Sequence, residues 1–480
     1  MKGHNVDFAY AVDLLRRINA TKVAGQPLAS SFLIDSYNIW HWYQKAIFIE
    51  ILRLLEYPDD IKKDPSALGF IGSLKYFSFS VFAWFLTLFA LRRKASVLMY
   101  AIDKNTSRFV ADERARGLYE FLFKHHIPFV ELFHSVFGRQ MAQNAMRRKR
   151  SGIYLELADA RLYLLQKLGF RKRLHVDPRT IDLSEFREEE KGLALRVIAG
   201  FIAQTQTTRA RIDYLTKVVR RGGYEQVIGI DDVRHYNELL YVCKKEKIPT
   251  HIFQHGGGHF NIGYWWDSGF AGEQLLPDHF YVWSTYWEKC LRHTSAAYEE
   301  SDIAIATPDQ TSSVVWQTGS ADDKNIAVFV PYEVDAPKDK IRQYMQAIAG
   351  CPHAAIFFKV RRDMSIDDQI LDYGLAGLPH TVVVDTKDSP RPHLALGTYS
   401  TMLYTLAEDE IPIGTFDTSM PFGENLITDG LAERIVVSTI CEQLDSLKNT
   451  PKGTLSERKE KLASGRVPLD VVLEKLFKKN

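Results

Sequence analysis

A short glycine-rich loop with a histidine at each end is the most specific chemical signal in the sequence. It runs from His255 through Gly256, Gly257 and Gly258 to His259. Three consecutive glycines let the backbone approach a ligand closely and offer N–H groups to phosphate or carboxylate oxygens. A histidine beside such a loop can donate to phosphate or transfer a proton. We therefore predict that His255 is catalytic and that the three glycines contact a donor; the alternative is a flexible turn with packed histidines.

Three carboxylates lie at or near the ends of apolar runs that are typical of strands. Asp231 and Asp232 come directly after the run 227–230, and Glu156 lies near the end of the predicted strand 153–157. One aspartate could be a base or nucleophile while the other caps the following helix. Sugar transfer through a covalent intermediate needs a nucleophile and an acid/base group. We predict that Asp231 or Asp232 is catalytic and that Glu156 is the second carboxylate; the alternative for Glu156 is an ordinary surface glutamate.

Basic residues end a predicted strand in the second half of the chain. Lys359 closes the run 354–359, and Arg361 and Arg362 lie just beyond it. Cations at the edge of a parallel sheet can neutralise the phosphate of a nucleotide. We predict Lys359 and Arg361 as donor contacts, with a solvated loop as the alternative.

Two further loops carry residues suited to a nucleotide. The segment 397–401 opens a predicted helix with small hydroxyl residues, and the N–H groups at a helix N-terminus form an anion site. Ser400 and Thr401 are therefore either phosphate ligands or simple helix caps. Tyr332 and Glu333 follow another predicted strand, where they could contact a base or a ribose.

Several motifs for other chemistries are absent. The sequence has no Walker A loop, no GxGxxG motif, no DxD pair beside a strand and no GxSxG nucleophile elbow. This argues against a metal-dependent NTPase, a dinucleotide enzyme and a lipase. The four cysteines lie far apart without metal-ligand spacing, so we expect no disulfide framework, no metal site and a reducing compartment. No cofactor is expected.

The hydrophobic pattern predicts a scaffold that brings these strand ends together. After the N-terminal segment, strands and helices alternate, as is typical of a parallel, doubly wound α/β sheet. Two parallel strands joined by a helix place their C-terminal ends on one edge of a sheet. The runs 227–230 and 250–253 are such a pair, so Asp231, Asp232 and His255 should meet at one edge.

The alternation restarts after a polar, turn-rich stretch, which predicts two Rossmann-like domains facing a cleft. We expect a helical, aromatic-rich N-terminal segment, a domain for an acceptor, a domain for a donor nucleotide, and a helical tail that packs back on the first domain. Their predicted bounds are 1–94, 95–310, 325–445 and 446–480.

The composition is typical of a soluble globular protein, and the net charge gives no reason to expect nucleic-acid binding. Of 480 residues, 46% are apolar and 25% charged, and the formal net charge is +2. The uncharged stretch 76–91 is shorter than the roughly 20 residues that a spanning helix needs. Because Arg92, Arg93 and Lys94 follow it, we expect a buried core helix or, alternatively, a helix on an anionic membrane surface. The first ten residues lack a signal-peptide core, so we expect a cytoplasmic protein, with a peripheral place on the inner face of the plasma membrane as an option.

Two segments resemble a known group of enzymes. One contains IPTHIFQHGGG, GYWW and PDHFYVWSTYW after the strand, acidic residues and helix described above. The other, GTYSTMLYTLAEDEIPIG, has a glycine–hydroxyl turn before a helix and a strand. Over about residues 220–430, the chain resembles bacterial surface-polysaccharide glycosyltransferases of the GT-B fold, which include capsule and lipopolysaccharide enzymes.

This resemblance implies a glycosyltransferase whose cleft holds a nucleotide sugar, mostly against the C-terminal domain, and a glycan or glycolipid acceptor against the other. It places His255 with its glycines along the cleft. Many relatives have Lys-x-His-Pro where this chain has FFKVRRD, so Arg361 or Arg362 would replace that histidine. The residues implied to hold the donor phosphate are Lys359, Arg361, Ser400 and Thr401.

Within this group, the chain resembles the retaining β-Kdo transferases, which pair an aspartate after one strand with a glutamate after another. On that resemblance Asp232, or Asp231, attacks the anomeric carbon of CMP-Kdo, and Glu156 handles the acceptor proton. A donor with one phosphate agrees with the missing DxD pair and with a metal-independent reaction.

Three other functions stay open at this point. A CDP-polyol phosphotransferase of teichoic-acid type is a more distant resemblance. A sugar-nucleotide 2-epimerase shares the two-domain architecture. The third is a non-enzymatic subunit of a polysaccharide assembly complex, anchored by the aromatic N-terminal segment.

Overall fold

A computed structural model describes most of the chain as an N-terminal helical segment, two α/β domains and a C-terminal tail. The described residues are 8–28, 32–56, 70–102, 111–134, 139–148, 151–172, 174, 177–231, 236–256, 275–294, 298, 302–308, 314–317, 325–334, 336–362, 364–418 and 424–478.

The N-terminal segment combines helices with two short antiparallel hairpins. Its apolar side packs against the N-terminal half of the longest helix of the first domain, forming a cluster that includes Trp40, Phe48 and Phe201. The segment is therefore a helical extension that packs on the first domain. Its elements are α1 (Phe8–Ala20), β1 (Lys22–Val23), β2 (Gln26–Pro27), β3 (Leu33–Ile34), β4 (Tyr37–Asn38), α2 (Ile39–Trp42), α3 (Gln44–Glu56) and α4 (Phe70–Leu91).

The described strands of the first domain form one sheet in which every pairing is parallel. They are β5 (Val97–Ile102), β6 (Phe129–His134), β7 (Ile153–Tyr154), β8 (Gln226–Ile230), β9 (Thr250–Phe253), β10 (His279–Val282) and β11 (Ile303–Ile305). Their spatial order is β11-β10-β9-β8-β5-β6-β7. The chain therefore reverses direction across the sheet between β5 and β8, which is a topological switch point.

Helices cover the first sheet, and the longest of them links it to the N-terminal segment. They are α5 (Arg116–Lys124), α6 (Arg139–Arg148), α7 (Glu156–Lys167), α8 (Glu188–Gly222), α9 (Tyr236–Glu246) and α10 (Thr285–Thr294). Three glutamates fill the first turn of α8 and two arginines its last turn, which complements the helix dipole. Gly223 ends α8 with a positive φ of 60°, a conformation that glycine adopts without steric cost.

The second domain repeats the same plan with a parallel sheet in the order β14-β13-β12-β15-β16-β17. Its strands and helices are β12 (Ile326–Pro331), α11 (Lys338–Ala349), β13 (Ala354–Lys359), α12 (Ile366–Asp372), β14 (His380–Val383), β15 (Leu394–Gly397), α13 (Thr401–Glu408), β16 (Ile413–Phe416), α14 (Glu424–Thr428), β17 (Glu433–Ile435) and α15 (Ile440–Lys448). The switch point lies between β12 and β15. The prediction of two Rossmann-like parallel sheets is confirmed.

The tail returns to the first domain. Helix α16 (Lys452–Ala463) contacts both α10 and α13, and α17 (Leu469–Lys478) contacts α5. Leu469 N–H donates to the carbonyl of Thr307 at 2.9 Å, and the rings of Phe121 and Phe477 lie 5.8 Å apart. The two domains are therefore joined by the tail as well as by the connection before β12.

The expectation that the cysteines form no disulfide is wrong. Cys351, after α11, is bonded to Cys441 at the start of α15, with Cα atoms 5.5 Å apart and a sequence separation of 90. Spacing alone could not indicate this pair, because α11 and α15 become neighbours only when they pack on the same sheet. The cysteines therefore no longer argue for a reducing compartment. Cys243 and Cys290 are thiols.

The sequence predicts a buried core helix at α4, but only one side of this helix is buried. Ala83 and Ala90 are fully buried, whereas Trp84, Phe85 and Phe89 are about half exposed. Among the described helices, none is long and apolar enough to cross a membrane.

Candidate active site

A histidine–aspartate pair lies at the C-terminal edge of the first sheet. Ile230 and Phe253 are register partners on β8 and β9, so the residues just beyond them are neighbours. His255 Nδ1 lies 2.7 Å from Asp231 Oδ1, and the His255 N–H donates to the same oxygen at 3.2 Å. The Asp231 side chain is 7% exposed and that of His255 17%. The predicted meeting of Asp231 and His255 at one edge is confirmed.

This geometry assigns different roles to the two ring nitrogens. A carboxylate accepts hydrogen bonds, so Nδ1 carries the proton in the pair, and Nε2 is the nitrogen that can take a proton from a substrate. The carboxylate also holds the ring in one orientation, which is how an orienting acid supports a general base. Such a pair can remove a proton from a hydroxyl that approaches the sheet edge.

A buried glutamine and a tryptophan anchor the loop that carries His255, and sequence reasoning missed both. Gln254 Oε1 accepts from the Trp283 N–H at 3.0 Å, and the Trp283 indole N–H donates to the Gln254 carbonyl at 2.8 Å. Gln254 Nε2 also donates to the carbonyl of Gly256 at 3.2 Å. The loop is thus tied to the end of β10. The only sequence signal was a polar residue between an apolar strand and the glycines.

Part of the predicted site lies outside the described residues. Asp232, Gly257, Gly258 and His259 lie outside the described residues, so their predicted roles stay predictions. Gly256 is described and buried, directly after His255.

Glu156 lies elsewhere on the same edge. The strand β7 ends at Tyr154, and Glu156 begins α7, so the predicted strand through residue 157 is too long. Glu156 Oε1 lies 3.1 Å from His134 Nδ1. Because β5 and β6 lie between β8 and β7, the strand ends that carry Asp231 and Glu156 are roughly 14 Å apart. Retaining sites hold their two carboxyl groups only about 5–5.5 Å apart, and this strand order does not provide that spacing.

At the second sheet's switch point, Glu333 occupies the anion site that was predicted for phosphate. Its carboxylate accepts hydrogen bonds from three consecutive backbone N–H groups, at distances of 2.6–3.0 Å, and from one hydroxyl at 2.5 Å. The backbone donors are Thr398, Tyr399 and Ser400, and the hydroxyl is that of Thr398. Burial raises the pKa of Glu333, while these hydrogen bonds oppose the increase. The carboxylate thus fills the space before α13 that the sequence assigned to a donor phosphate.

The Ser400 hydroxyl, next to this site, caps helix α13. Ser400 Oγ accepts from the Met402 N–H at 3.2 Å, which makes Ser400 the N-cap of α13. Of the two readings offered by the sequence, the helix cap is the one observed for Ser400. Thr401 is the first residue of α13, and its carbonyl accepts from the Thr405 hydroxyl.

Tyr332 is part of the core beside Glu333. It is 5% exposed, and its hydroxyl donates to Asp372 Oδ2 at 2.6 Å. The ammonium of Lys338 lies 4.4 Å from the centre of the Tyr332 ring. These contacts hold the tyrosine in the domain interior, so the structure does not show the predicted contact surface for a base.

The basic residues after β13 divide into two groups. Lys359 Nζ donates to the carbonyls of Val360 and Val384 at 2.9 and 3.2 Å, and burial lowers the pKa of Lys359. Arg361 and Arg362 are exposed, and Arg362 pairs with Asp385 at 2.8 Å. The arginines are therefore better placed than the lysine to meet a phosphate at this edge.

The two domains contact each other through aromatic side chains. Trp287 of α10 and Tyr404 of α13 have ring centres 4.7 Å apart, and the Tyr286 hydroxyl donates to Asp429 at 2.6 Å. Tyr399, next to the Glu333 site, packs against the cluster of the N-terminal segment. The loop between β15 and α13 is thus in contact with the extension of the first domain.

No protein-family model and no curated protein matches this chain. Solved structures with a similar fold include MurG from Acinetobacter baumannii, 12% identical with a TM-score of 0.46 over 81% of this chain and 100% of that chain. The calicheamicin glycosyltransferase CalG4 is 10% identical with a TM-score of 0.47 over 81% and 100%. A UDP-GlcNAc 2-epimerase from Neisseria meningitidis is 11% identical with a TM-score of 0.45 over 80% and 100%. At TM-scores below 0.5, these likenesses assign no activity.

Proposed function

We propose that this chain is a glycosyltransferase that moves a sugar from a nucleotide-activated donor to an acceptor hydroxyl, with His255 as the general base. The observation that carries the proposal is the Asp231–His255 pair at the ligand-binding edge of a parallel sheet. His255 Nε2 takes the proton of the acceptor hydroxyl while the hydroxyl oxygen bonds to the anomeric carbon. The bond from that carbon to the donor phosphate breaks, and the nucleotide leaves with the electron pair.

A single displacement fits the site better than a covalent sugar–enzyme intermediate. The Asp231 carboxylate is buried and bonded to His255, which suits an orienting group. A two-step reaction would need a second carboxylate close by, and the strand order holds Glu156 away. The proposed reaction therefore inverts the anomeric centre, in contrast to the retaining course expected from the β-Kdo resemblance.

The donor phosphate needs a site other than the amides that Glu333 occupies. Arg361 and Arg362, exposed at the end of the neighbouring strand β13, are the proposed contacts. CMP-Kdo is retained as one donor to test, because the motif resemblance suggested it and a single phosphate requires few cations. A cell-surface polysaccharide or glycolipid acceptor, a metal-independent reaction and a cytoplasmic location are proposed on the same resemblance.

The test is a donor screen with the purified full chain. CMP-, CDP-, UDP- and GDP-linked donors are incubated with glycan and glycolipid acceptors, and products are identified by mass and by the configuration of the new linkage. We expect transfer with inversion, lost in His255→Gln and kept in His353→Gln, which changes an exposed histidine.

Other outcomes would identify a competing function. Transfer of a polyol phosphate from a CDP-linked donor would indicate the phosphotransferase. A donor altered at C2 without any acceptor would indicate the epimerase. Glycan production in cells that is unaffected by His255→Gln would contradict His255 catalysis and favour the non-enzymatic subunit.

A further inference from the structure

In the described part of helix α4, the most buried side chains are small, and several large aromatic side chains are exposed. The buried side chains are Ser80, Ala83, Thr87 and Ala90. They let the helix pack closely on β7 and α7, where the Tyr154 N–H donates to Thr87 Oγ1 at 3.3 Å. Phe79, Phe82 and Leu86 pack against the core while partly exposed. An ordinary amphipathic helix keeps its large apolar groups on the buried side, whereas α4 also exposes several of them.

The outward side of α4 forms a continuous apolar surface. Val81 is 40% exposed, Trp84 51%, Phe85 50% and Phe89 57%. The rings of Trp84 and Phe85 lie 5.1 Å apart. Trp84 and Phe85 follow Val81 by three and four residues, and Phe89 follows Phe85 by four, which places these side chains on neighbouring turns of one helix side. An exposed apolar surface of this kind marks a place that a partner covers.

The exposed charged residues at the C-terminal ends of α4 and α6 that the structure describes are basic. Arg92, Arg93 and Lys94 are exposed directly after α4. Helix α6, which contacts α4, contains three arginines and no aspartate or glutamate, and α4 also contains no acidic residue. Met146 and Arg147 of α6 are exposed as well. A partner therefore needs both an apolar layer and negative charge.

We infer that the outward side of α4 and its basic end, residues 81–94, form a docking surface for an anionic lipid bilayer. Tryptophan and phenylalanine enter the boundary between headgroups and acyl chains, and cations bind the lipid phosphates. A second copy of the chain is a poorer partner, because symmetric pairing would bring this acid-free, cationic surface against itself. The inference is independent of the proposed transfer reaction.

The experiment is flotation of the full chain with lipid vesicles, in the absence of donor and acceptor. We expect binding to vesicles of phosphatidylcholine and phosphatidylglycerol in equal parts, and much weaker binding to phosphatidylcholine alone. Replacing Arg92, Arg93 and Lys94 by glutamine should weaken binding about 100-fold, because each cation near an anionic surface contributes roughly fivefold.

Variants that remove exposed apolar side chains distinguish specific binding through α4 from non-specific hydrophobic adsorption to the vesicles. Trp84→Ala with Phe89→Ala should weaken binding by about tenfold or more, whereas the matched control Leu371→Ala with Val384→Ala, exposed on the second domain, should bind like the wild type. All these positions are exposed, so circular dichroism and thermal unfolding should show unchanged folding.

A spectroscopic measurement locates the contact. Lipids brominated in the acyl chain should quench tryptophan fluorescence of the bound wild type, and Trp84→Phe should remove that quenching while flotation persists. The inference is overturned if the wild type does not float with anionic vesicles, or if Trp84→Ala with Phe89→Ala floats as well as the wild type. Concentration-dependent dimerisation that this double variant abolishes, without flotation of the wild type, would also overturn it.

Discussion

The C-terminal edges of the two sheets carry a buried carboxylate each, and the two carboxylates have different partners. On the first sheet, Asp231 pairs with the ring of His255. On the second, Glu333 accepts from three backbone N–H groups and a hydroxyl. An imidazole can exchange a proton with a substrate near neutral pH, whereas an amide N–H cannot. The same kind of residue thus orients a base in one domain and organises a loop in the other.

The difference shows that position at a strand end does not by itself define a catalytic group. Both carboxylates lie at or beside a topological switch point, where α/β proteins bind ligands. What separates them is whether the hydrogen-bond partner can change its protonation state. Predictions that exchange or remove these partners test this distinction.

The largest effect is expected for the proton-transfer pair. Asp231→Asn should lower the transfer rate by about 10³–10⁴-fold, because an amide can no longer hold the ring in the required tautomer. Since the two residues act as a unit, the double variant Asp231→Asn with His255→Gln should be no slower than the slower single variant. If the single-turnover rate of the double variant fell by the product of the two single-variant losses, the residues would act separately. His353→Gln is the control.

Removing the disulfide should lower the stability of the second domain and leave that of the first domain unchanged. Cys351→Ser with Cys441→Ser should lower the free energy of unfolding of the second domain by about 4 kcal/mol, because the bond closes a long loop in the unfolded chain. Urea unfolding followed by hydrogen exchange would assign the loss to a domain. Cys290→Ser is the matched control, since Cys290 is a thiol. An equal loss in both domains would contradict the prediction.

Removing Glu333 should mainly affect stability. Glu333→Ala leaves buried N–H groups without their acceptor and should cost about 3 kcal/mol in the free energy of unfolding. The measurement is urea unfolding of the full chain, with exposed Glu457→Ala as the control. If stability is unchanged while transfer is lost, Glu333 would be a substrate contact, as the sequence first suggested.

The smallest effect is expected at the glycine beside that site. A Cβ at Gly397 would lie 3.1 Å from both Glu333 Oε1 and Leu403 Cδ1, so Gly397→Ala forces the neighbouring groups to shift slightly. We expect a loss of about 1–2 kcal/mol in the same unfolding assay. Gly453→Ala, where a Cβ meets nothing within 4 Å, should be neutral or slightly stabilising, because alanine favours the helix α16 in which it lies. A stabilising effect at Gly397 would mean that the loop relaxes without moving Glu333.

The sequence by itself determined the two parallel sheets, the returning tail and the meeting of Asp231 with His255. Each depends on local patterns: alternating strands and helices, an amphipathic end helix, and one strand–helix–strand unit whose geometry leaves little freedom. The anchors Gln254 and Trp283 lie within the same part of the sheet, but no local pattern marked them.

Only the tertiary structure decided the partners of residues that are distant in sequence. The bond between Cys351 and Cys441 and the placement of Glu333 at the start of α13 both depend on which elements pack together. The placement of Glu156 three strands away from Asp231 likewise depends on β5 and β6 lying between β8 and β7. The outward aromatic side of α4 depends on how closely its small side packs on β7 and α7. Periodicity specifies that a helix or strand forms, but strand order and close packing specify what each side chain meets.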